Sequence, residues 1–426
     1  MKKYSSIEFF KFIRYEKKIM AKKYISPFKP KNIIDIKPTS LKIYTFNAGF
    51  KKYHDDLLII VFNKPVVMSA VFTKSSTPSA PVIWNKKQNK NNLCKILIVN
   101  SGNANAFTGN EGIKSIKKYS TIAAKIFKCK LKEVFVSSTG IIGEQLNPNS
   151  IITKLKLVEN SKPKSLSHAA KAIMTTDTYP KLVIETIKLN KKKIRIYGIA
   201  KGSGMIAPNM GTMLSYIFIE ESLSKVQLNK IFKFNIEDSF NSISVDGDMS
   251  TNDTVVIFAV GKRKKNALFN NDQILKSISF SLKKIMINLA KQIVCDGEGI
   301  SKLLEIKVVN AKNKKQASKI SFSIAESLLV KTAIHGKDPN WGRIIMAIGK
   351  TSANIDQKKI ILKFGDLLVA EKGRVSKKLD LIKLNAYMKN KIIKIHVDLK
   401  LGKCNKTVWS SDLSKKYIEI NAEYSS

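Results

Sequence analysis

The sequence predicts an α/β protein, on three observations. Short apolar runs of strand length recur along it, such as Leu57 to Phe62, Ile96 to Val99 and Thr254 to Val260. Between them lie stretches with apolar residues at helical spacing: Ile113, Ile116, Ile122, Ala123 and Ile126, and later Ile274, Ile278, Leu282, Met286, Leu289 and Ile293. The chain has 426 residues, 44% of them hydrophobic, which suffices for one large or two medium domains.

Taken in order, residues 1–23 are basic but include Glu8 and Glu16, with no apolar segment before a small-residue cleavage site. They predict an N-terminal extension rather than a secretory signal, with Met20 open as the true start. Residues 24–40 are Pro- and Lys-rich and irregular. Leu57–Phe62 and Pro65–Thr73 read as strands, SSTPSAPV as a turn and Lys86 to Asn92 as a polar loop. A strand at Ile96–Val99 opens into SGNANAFTGN, and Val134–Val136 is a strand leading into SSTGIIGE. Leu166, Ala169, Ala170, Ile173 and Met174 mark a helix before TTDTYPK, and Leu182, Ile184 and Thr186 alternate as a strand. Ile194–Ile199 is a strand, and another starts at Met213 with Leu214, Tyr216 and Phe218. Leu223–Phe232 is helical. The long helix of Ile274 to Ile293 ends at CDGEG, Leu303–Val309 is a strand, and Ile320–Ile334 is mainly helix. HGKDPNWGR, His335 to Arg343, reads as one turn. The remainder, residues 358–426, reads as short strands such as Lys359–Phe364 and Ile392–Val397.

Composition excludes several classes. No apolar run reaches the roughly 18 residues a membrane helix needs. Cys94, Cys129, Cys295 and Cys404 have no metal-ligand spacing and read as thiols of a reducing compartment. The net charge of +44 invites a nucleic-acid reading, but only Arg14, Arg195, Arg263, Arg343 and Arg374 are arginines among 76 basic residues. Phosphate and base recognition favours the arginine fork, and these lysines are spread over the whole length as solvated faces. No nucleic-acid and no membrane partner is expected.

Chemistry concentrates in a few loops. Between the strands at Ile194 and Met213 runs KGSGMIAPNMGT, with Gly211 just before Thr212. A glycine carbonyl beside a hydroxyl at a strand start permits an N-to-O acyl shift. Hydrolysis then leaves Thr212 as an N-terminal nucleophile whose own amine is its base. The plainer alternative is a glycine-rich turn. At Thr139-Gly140 a backbone bend can aim N–H groups at an oxyanion, or is ordinary turn chemistry. Asp246-Gly-Asp248 resembles the start of a Mg²⁺-dependent aspartate phosphotransferase with Asp246 as nucleophile, against a carboxylate-rich turn. Glu298, between two glycines, can approach a ligand closely or is a solvated residue past a helix end.

FTKSSTPSAPV, SGNANAFTG, SSTGIIGE, TTDTYPK, AKGSGMIAPNMGTML, VDGDMSTND, DGEG and GKDPNWGR occur in this order. Together they resemble the ornithine acetyltransferase family, also called glutamate N-acetyltransferase, from about residue 40 to the C-terminus. The resemblance implies a layered α/β sandwich, residues 24–300, with a smaller C-terminal domain, residues 301–426, closing the active site. It implies cleavage between Gly211 and Thr212 into an α and a β chain that stay associated, as α2β2. Thr212 is then the nucleophile that carries acetyl from N-acetylornithine to glutamate in cytoplasmic arginine biosynthesis. Thr139 and Gly140 match the oxyanion-hole pair, and Thr178, Lys201, Thr212, Glu298, Asn421 and Ser426 match substrate-binding positions. No metal and no cofactor is implied. No coenzyme A motif is readable, so acetyl-CoA stays open as a second acetyl donor. An N-terminal-nucleophile aminopeptidase or amidohydrolase shares the Thr212 chemistry but passes the acyl group to water. The chain departs from the family in having Gly211 rather than Ala before the cleaved bond, Phe107 where Cys is common, and GEGISK for GEGATK.

Overall fold

The computed structural model describes residues 24–189, 192–207, 213–261 and 272–423. Strand β2 (Leu57–Phe72) is the longest strand. Its register against β3 (Leu93–Asn103) shifts between Val61 and Val66, where Pro65 cannot donate to the ladder. That shift lets β2 serve two partners on its other edge. Strand β1 (Leu41–Phe46) pairs with its first half and β9 (Thr254–Ala259) with its second. Adding β4 (Val134–Ile141), β5 (Lys181–Leu189), β6 (Lys192–Lys201) and β7 (Leu214–Ile219), the sheet runs β4-β3-β2-β9-β7-β6-β5, with β1 beside β2. The β3–β4 and β7–β9 pairs are parallel and the other pairs antiparallel.

Both faces of this sheet are covered, which is why its central strands are apolar without alternation. From β7 and β9, Ile217, Ile219, Val255 and Ile257 face one core, shared with α5 (Lys225–Ile236) and α6 (Asp272–Val294). Tyr216, Phe218, Val256 and Phe258 face the other, under α4 (Leu166–Ala172). Phe218 and Phe258 stack there at 5.3 Å between centroids. At the far end, α1 (Ala80–Gln88), α2 (Gly109–Ile126) and α3 (Pro148–Leu157) cover β2, β3 and β4 through Trp84, Ile116, Ile151 and Leu155.

A second sheet is built from β8 (Ile243–Ser244), β10 (Leu303–Ala311), β11 (Ile361–Phe364), β12 (Leu367–Glu371), β13 (Arg374–Val375), β14 (Ile392–Asp398) and β15 (Cys404–Ser411). Its order is β13-β12-β11-β14-β10-β15-β8. It buries one face against α7 (Lys314–Ala325), α8 (Leu328–His335), α9 (Trp341–Gly349) and α10 (Leu381–Tyr387). Strand β8 belongs in sequence to the first layer but pairs with β15, and Trp409 of β15 returns into the first layer's core. Lys331 fastens the same junction: it is 3% exposed and its Nζ donates to Val245 O at 2.7 Å and Ser411 O at 2.5 Å. Burial lowers the pKa of this ammonium to about 8.

Several sequence expectations are corrected. The SSTPSAPV turn and the polar run after it contain helix α1, whose Asn85 is buried because its amide bonds Val136 O and Val136 N, on β4. Residues 320–334 are two helices, broken at Glu326 and Ser327, with Ser327 capping the second. HGKDPNWGR is not one turn: helix α9 begins at Trp341. The last stretch holds two helices as well as strands, α10 and α11 (Lys415–Glu423). Strand β1 was not read from the sequence; it begins at Leu41, directly after the stretch expected to be irregular.

Candidate active site

The site gathers where β4 and β6 end and β7 begins. Parallel pairing of β3 and β4 sets Gly140 against Gly102. Gly140 has φ +137°, and a Cβ there would sit 2.2 Å from the Gly102 carbonyl carbon and 2.5 Å from Asn103 N. Only glycine fits that approach, so the bend after Thr139 is fixed by sterics. The loop behind it is held by Asn252, whose amide donates to Ala104 O at 2.7 Å and Ser138 O at 2.8 Å.

Lys201 closes strand β6 and is 2% exposed. Its Nζ donates to Thr139 Oγ1 at 3.1 Å. Burial lowers the pKa of this ammonium, and the charge of Asp177 opposes that shift. Lys201 pairs with Leu214 across the β6–β7 ladder. The intervening loop, which carries Gly211 and Thr212, therefore starts and ends at the same point of the sheet. Gly211 and Thr212 themselves, like Ser426, lie outside the described residues.

Beneath this point is a buried ionic cluster. Lys181 Nζ lies 2.6 Å from both Asp177 Oδ1 and Asp296 Oδ2, and all three side chains are fully buried. Asp177 Oδ1 also accepts the Gly202 N–H at 2.7 Å, and Oδ2 accepts the Thr175 N–H at 2.9 Å. Burial opposes ionisation of Asp177, but the Lys181 and Lys201 ammonium groups outweigh it and hold the carboxyl below the usual range. Burial pushes Asp296 up, and the Asp177 charge adds to that push while Lys181 counters it; the two carboxylates hold Lys181 charged and raise it despite burial. Thr178 donates its hydroxyl to Asp296 Oδ1 at 2.5 Å and its N–H to Oδ2 at 2.8 Å, while its oxygen accepts the Ser26 N–H at 3.1 Å. The Thr178 side chain thus serves the Asp296 carboxylate.

Glu298 reaches the same loop from the other side. Its N–H donates to Ser203 O at 3.2 Å, and its carboxylate lies where a Cβ on Gly204 would be, 2.5 Å from Oε2. Asn421 of helix α11 donates to Glu298 Oε2 at 2.9 Å. The helix is brought there by Ser414, which donates to Gly299 O at 2.6 Å; a Cβ on Gly299 would be 2.4 Å from Tyr417 N. The structure therefore unites Thr139, Gly140 and Lys201 in one group and Glu298 with Asn421 in a second, joined by residues 202–204.

Asp246 does other work. Its oxygens accept the N–H groups of Met205 at 2.6 Å, Ile206 at 2.8 Å and Asp248 at 3.3 Å, and Tyr417 donates to it at 3.4 Å. Both oxygens are taken up in holding the 205–206 turn, which corrects the reading of Asp246 as a phosphotransferase nucleophile. Among the described residues, no group of three or more His, Cys, Asp or Glu side chains could hold a metal ion.

The ArgJ family matches residues 42–426 of this sequence. The chain belongs to the ArgJ family. It is similar to the arginine biosynthesis bifunctional protein ArgJ of Bradyrhizobium diazoefficiens, 42% identical over 409 residues that cover 94% of this chain and 99% of that protein. It is similar to the protein of the same name from Bartonella henselae, 42% identical over 406 residues with the same coverage. Among solved structures it is similar to arginine biosynthesis bifunctional protein argJ from Bacillus halodurans, 35% identical, covering 50% of this chain and 100% of that chain, with a TM-score of 0.47. As a member of the ArgJ family the chain is an acyltransferase of arginine biosynthesis. No helix among the described residues is long and apolar enough to cross a membrane.

Reading ArgJ motifs in the sequence missed the supporting residues. Asp177 and Lys181 stand in TTDTYPK and Asp296 in CDGEG, but nothing in their spacing says that residues more than a hundred positions apart share one ammonium. Asp253 was missed as well. It is fully buried, and its Oδ1 accepts the Met213 N–H at 2.8 Å. Its signal was position: a carboxylate directly before the apolar strand β9.

Proposed function

We propose that this acyltransferase is a glutamate N-acetyltransferase that moves acetyl from N2-acetyl-L-ornithine to L-glutamate, after cutting its own chain between Gly211 and Thr212. In the cut, the Thr212 hydroxyl adds to the Gly211 carbonyl carbon, the C–N bond breaks, and the hydroxyl proton passes to the freed amine. Water then opens the ester. In turnover, the same hydroxyl attacks the acetyl carbonyl, ornithine leaves as its amine, and the glutamate amine takes the acetyl group from the Thr212 ester. Thr139 and Gly140 stabilise the oxyanion in each addition, a donor worth about 10²–10³ in rate. Lys201 takes a substrate carboxylate, Glu298 the cationic end of ornithine, with Thr178, Asn421 and Ser426 completing the binding set. Acetyl-CoA is an additional donor to be assayed. The mature enzyme is an α2β2 assembly in the cytoplasm, with residues 24–300 as the main domain and 301–426 as the domain that closes the site.

The observation that carries this reading is the buried Lys201–Thr139 contact at 3.1 Å beside Gly140, at the foot of the loop that holds Gly211 and Thr212. A denaturing gel with mass analysis tests it. The wild type is expected as two fragments of nearly equal size, the second beginning at Thr212, that co-purify until denatured. Thr212→Ala is expected to stay a single band without transferase activity. Uncut wild type with full turnover refutes the reading. Acetylornithine loss that does not depend on glutamate points instead to the hydrolase.

A further inference from the structure

Glu298 stands in a stretch that no sheet ladder holds. Between the end of α6 at Val294 and the start of β10 at Leu303, the chain passes through Gly297 and Gly299 without helix or strand. Glycines widen the choice of backbone conformations, so the place of Glu298 has to come from hydrogen bonds that other segments supply. Ser203 supplies two: its hydroxyl donates to Asp296 O at 2.7 Å, and its carbonyl accepts the Glu298 N–H at 3.2 Å. Two more come from the other end of the sequence. The Ser26 hydroxyl donates to Cys295 O and the Tyr24 hydroxyl to Ile300 O, each at 2.5 Å. These two contacts bracket Asp296 and Glu298, one at each end of residues 295–300.

Residues 24–28 are themselves fastened. Ser26 is 3% exposed, its N–H donates to Thr178 Oγ1 at 3.1 Å, and its Oγ accepts the Phe28 N–H at 3.1 Å. Phe28 packs against the core of the first layer, and Lys391, next to β14 of the second sheet, donates to Pro27 O at 3.4 Å. Burial raises the pKa of the Tyr24 phenol and the charges of Asp296 and Asp412 add to the rise, so the hydroxyl keeps its proton and stays a donor. We propose that residues 24–28 are a clasp that sets the position of Glu298, with Tyr24 and Ser26 as positioning residues for the cationic end of the acetyl donor. This inference rests on the reading of Glu298 as the partner of that cationic end. Tyr24 and Ser26 act through the backbone of residues 295–300, not on the substrate itself. Their effect is therefore selective: acetylornithine brings an ammonium to Glu298, whereas glutamate carries a carboxylate on its side chain.

The test compares the wild type with Tyr24→Phe, Ser26→Ala and the two together, each also combined with Glu298→Gln, by initial rates in both substrates and by melting temperature. Each single change removes one hydroxyl and is expected to raise KM for acetylornithine about three- to tenfold, and the pair about tenfold or more, with kcat and KM for glutamate within about twofold of the wild type. In the Glu298→Gln background the same changes are expected to add less than about twofold, because the carboxylate they position is gone. A merely structural loss would lower the melting temperature and move both KM values together. An unchanged KM for acetylornithine in the pair, an equal rise in both KM values, or a full effect in the Glu298→Gln background overturns the proposal. If Glu298→Gln raises that KM and the pair does not, the clasp alone is refuted. If Glu298→Gln leaves it unchanged, the reading of Glu298 falls and this inference with it.

Discussion

Replacing Lys181 by Met should invert the pH dependence of stability in a way no surface lysine could. Lys181 bridges Asp177 and Asp296 at 2.6 Å each with none of the three side chains exposed. Removing one partner of a buried ion pair typically costs about 3–5 kcal/mol, because the remaining charge is left uncompensated. Here two carboxylates remain, and Asp177 retains Lys201 as a neighbouring cation and the Gly202 N–H as a donor. Asp296 therefore takes up a proton. Protonating an ordinary carboxyl of pKa about 3.9 costs about 4 kcal/mol at about pH 7 and about 1.5 kcal/mol at about pH 5, at 1.36 kcal/mol per pH unit. In the wild type the folded pKa of Asp177 is depressed. Its contribution is present above the unfolded value and is lost as pH falls through the folded one. In Lys181→Met the folded pKa of Asp296 is raised further, so its contribution is present below the unfolded value and is lost as pH rises. The stability gap between the two proteins should be about 4 kcal/mol near pH 7 and shrink by about 2.7 kcal/mol on going to about pH 5. Denaturant melts of both proteins between those pH values measure it. A gap below about 1 kcal/mol, or one that does not change with pH, refutes the claim that Lys181 is the counter-charge of this cluster. If the chain is cut before Thr212, cutting should also slow, because Asp177 holds the Gly202 N–H just past the end of β6.

Two other changes probe the loop from its flanks. Gly204→Ala places a Cβ 2.5 Å from Glu298 Oε2 and 2.6 Å from its Cδ, so the carboxylate must swing away from Asn421. Loss of one charge-assisted hydrogen bond, about 1.5–3 kcal/mol, predicts a 10- to 100-fold higher KM for acetylornithine, while the two fragments still form. Asp246→Asn replaces an acceptor by a donor facing the N–H groups of Met205 and Ile206, and should lower stability by about 1–3 kcal/mol. Added Mg²⁺ should restore neither stability nor activity; metal-dependent rescue would revive the phosphotransferase reading.

The strands that centre the site were legible because burial on both faces leaves no solvent-facing position in them: LSYIFI and TVVIFA are buried at every residue and almost wholly apolar. The long helix α6 was legible for the complementary reason, since it has one apolar stripe, from Ile278 through Leu282, Met286 and Leu289 to Ile293. Helix α1 was not. Lys86 and Lys87 give its end the look of a loop, and its buried face includes Asn85, a polar side chain satisfied only by β4. Helix α11 has no buried residue at all, so no periodicity announced it; contacts at Gly299 and Glu298 place it. Within the site, Thr139 and Gly140 were visible as turn chemistry, because Gly140 answers a local steric demand. Asp177, Lys181 and Asp296 were not, because a lysine at a strand start reads as solvated until the fold supplies two carboxylates. Glu298 was visible as a carboxylate between two glycines, Asn421 came from resemblance alone, and the structure joins the two through the Asn421 amide on Glu298 Oε2.

The order of strands explains how such a chain could be cut and remain whole. In β4-β3-β2-β9-β7-β6-β5, strands β7 and β9, which follow Thr212 in the sequence, lie between β2 and β6, which precede it. Cutting before Thr212 would sever no strand pair: Lys201 would still face Leu214, and Val67–Phe72 would still be bonded to β9. The fragments would be interleaved within one sheet rather than docked face to face, and their apolar cores would be shared, since Ile194 and Ile196 pack with Ile217, Ile219 and Ile257. Neither fragment could complete that sheet alone, so folding has to come before cutting. On either side of the proposed cut the chain is fixed, by the β6–β7 ladder at Lys201 and Leu214 and by the Met213 N–H on Asp253. Rigid feet and a reactive span are the same requirement seen twice, because a nucleophile that is to work after the cut must already be anchored when the cut is made.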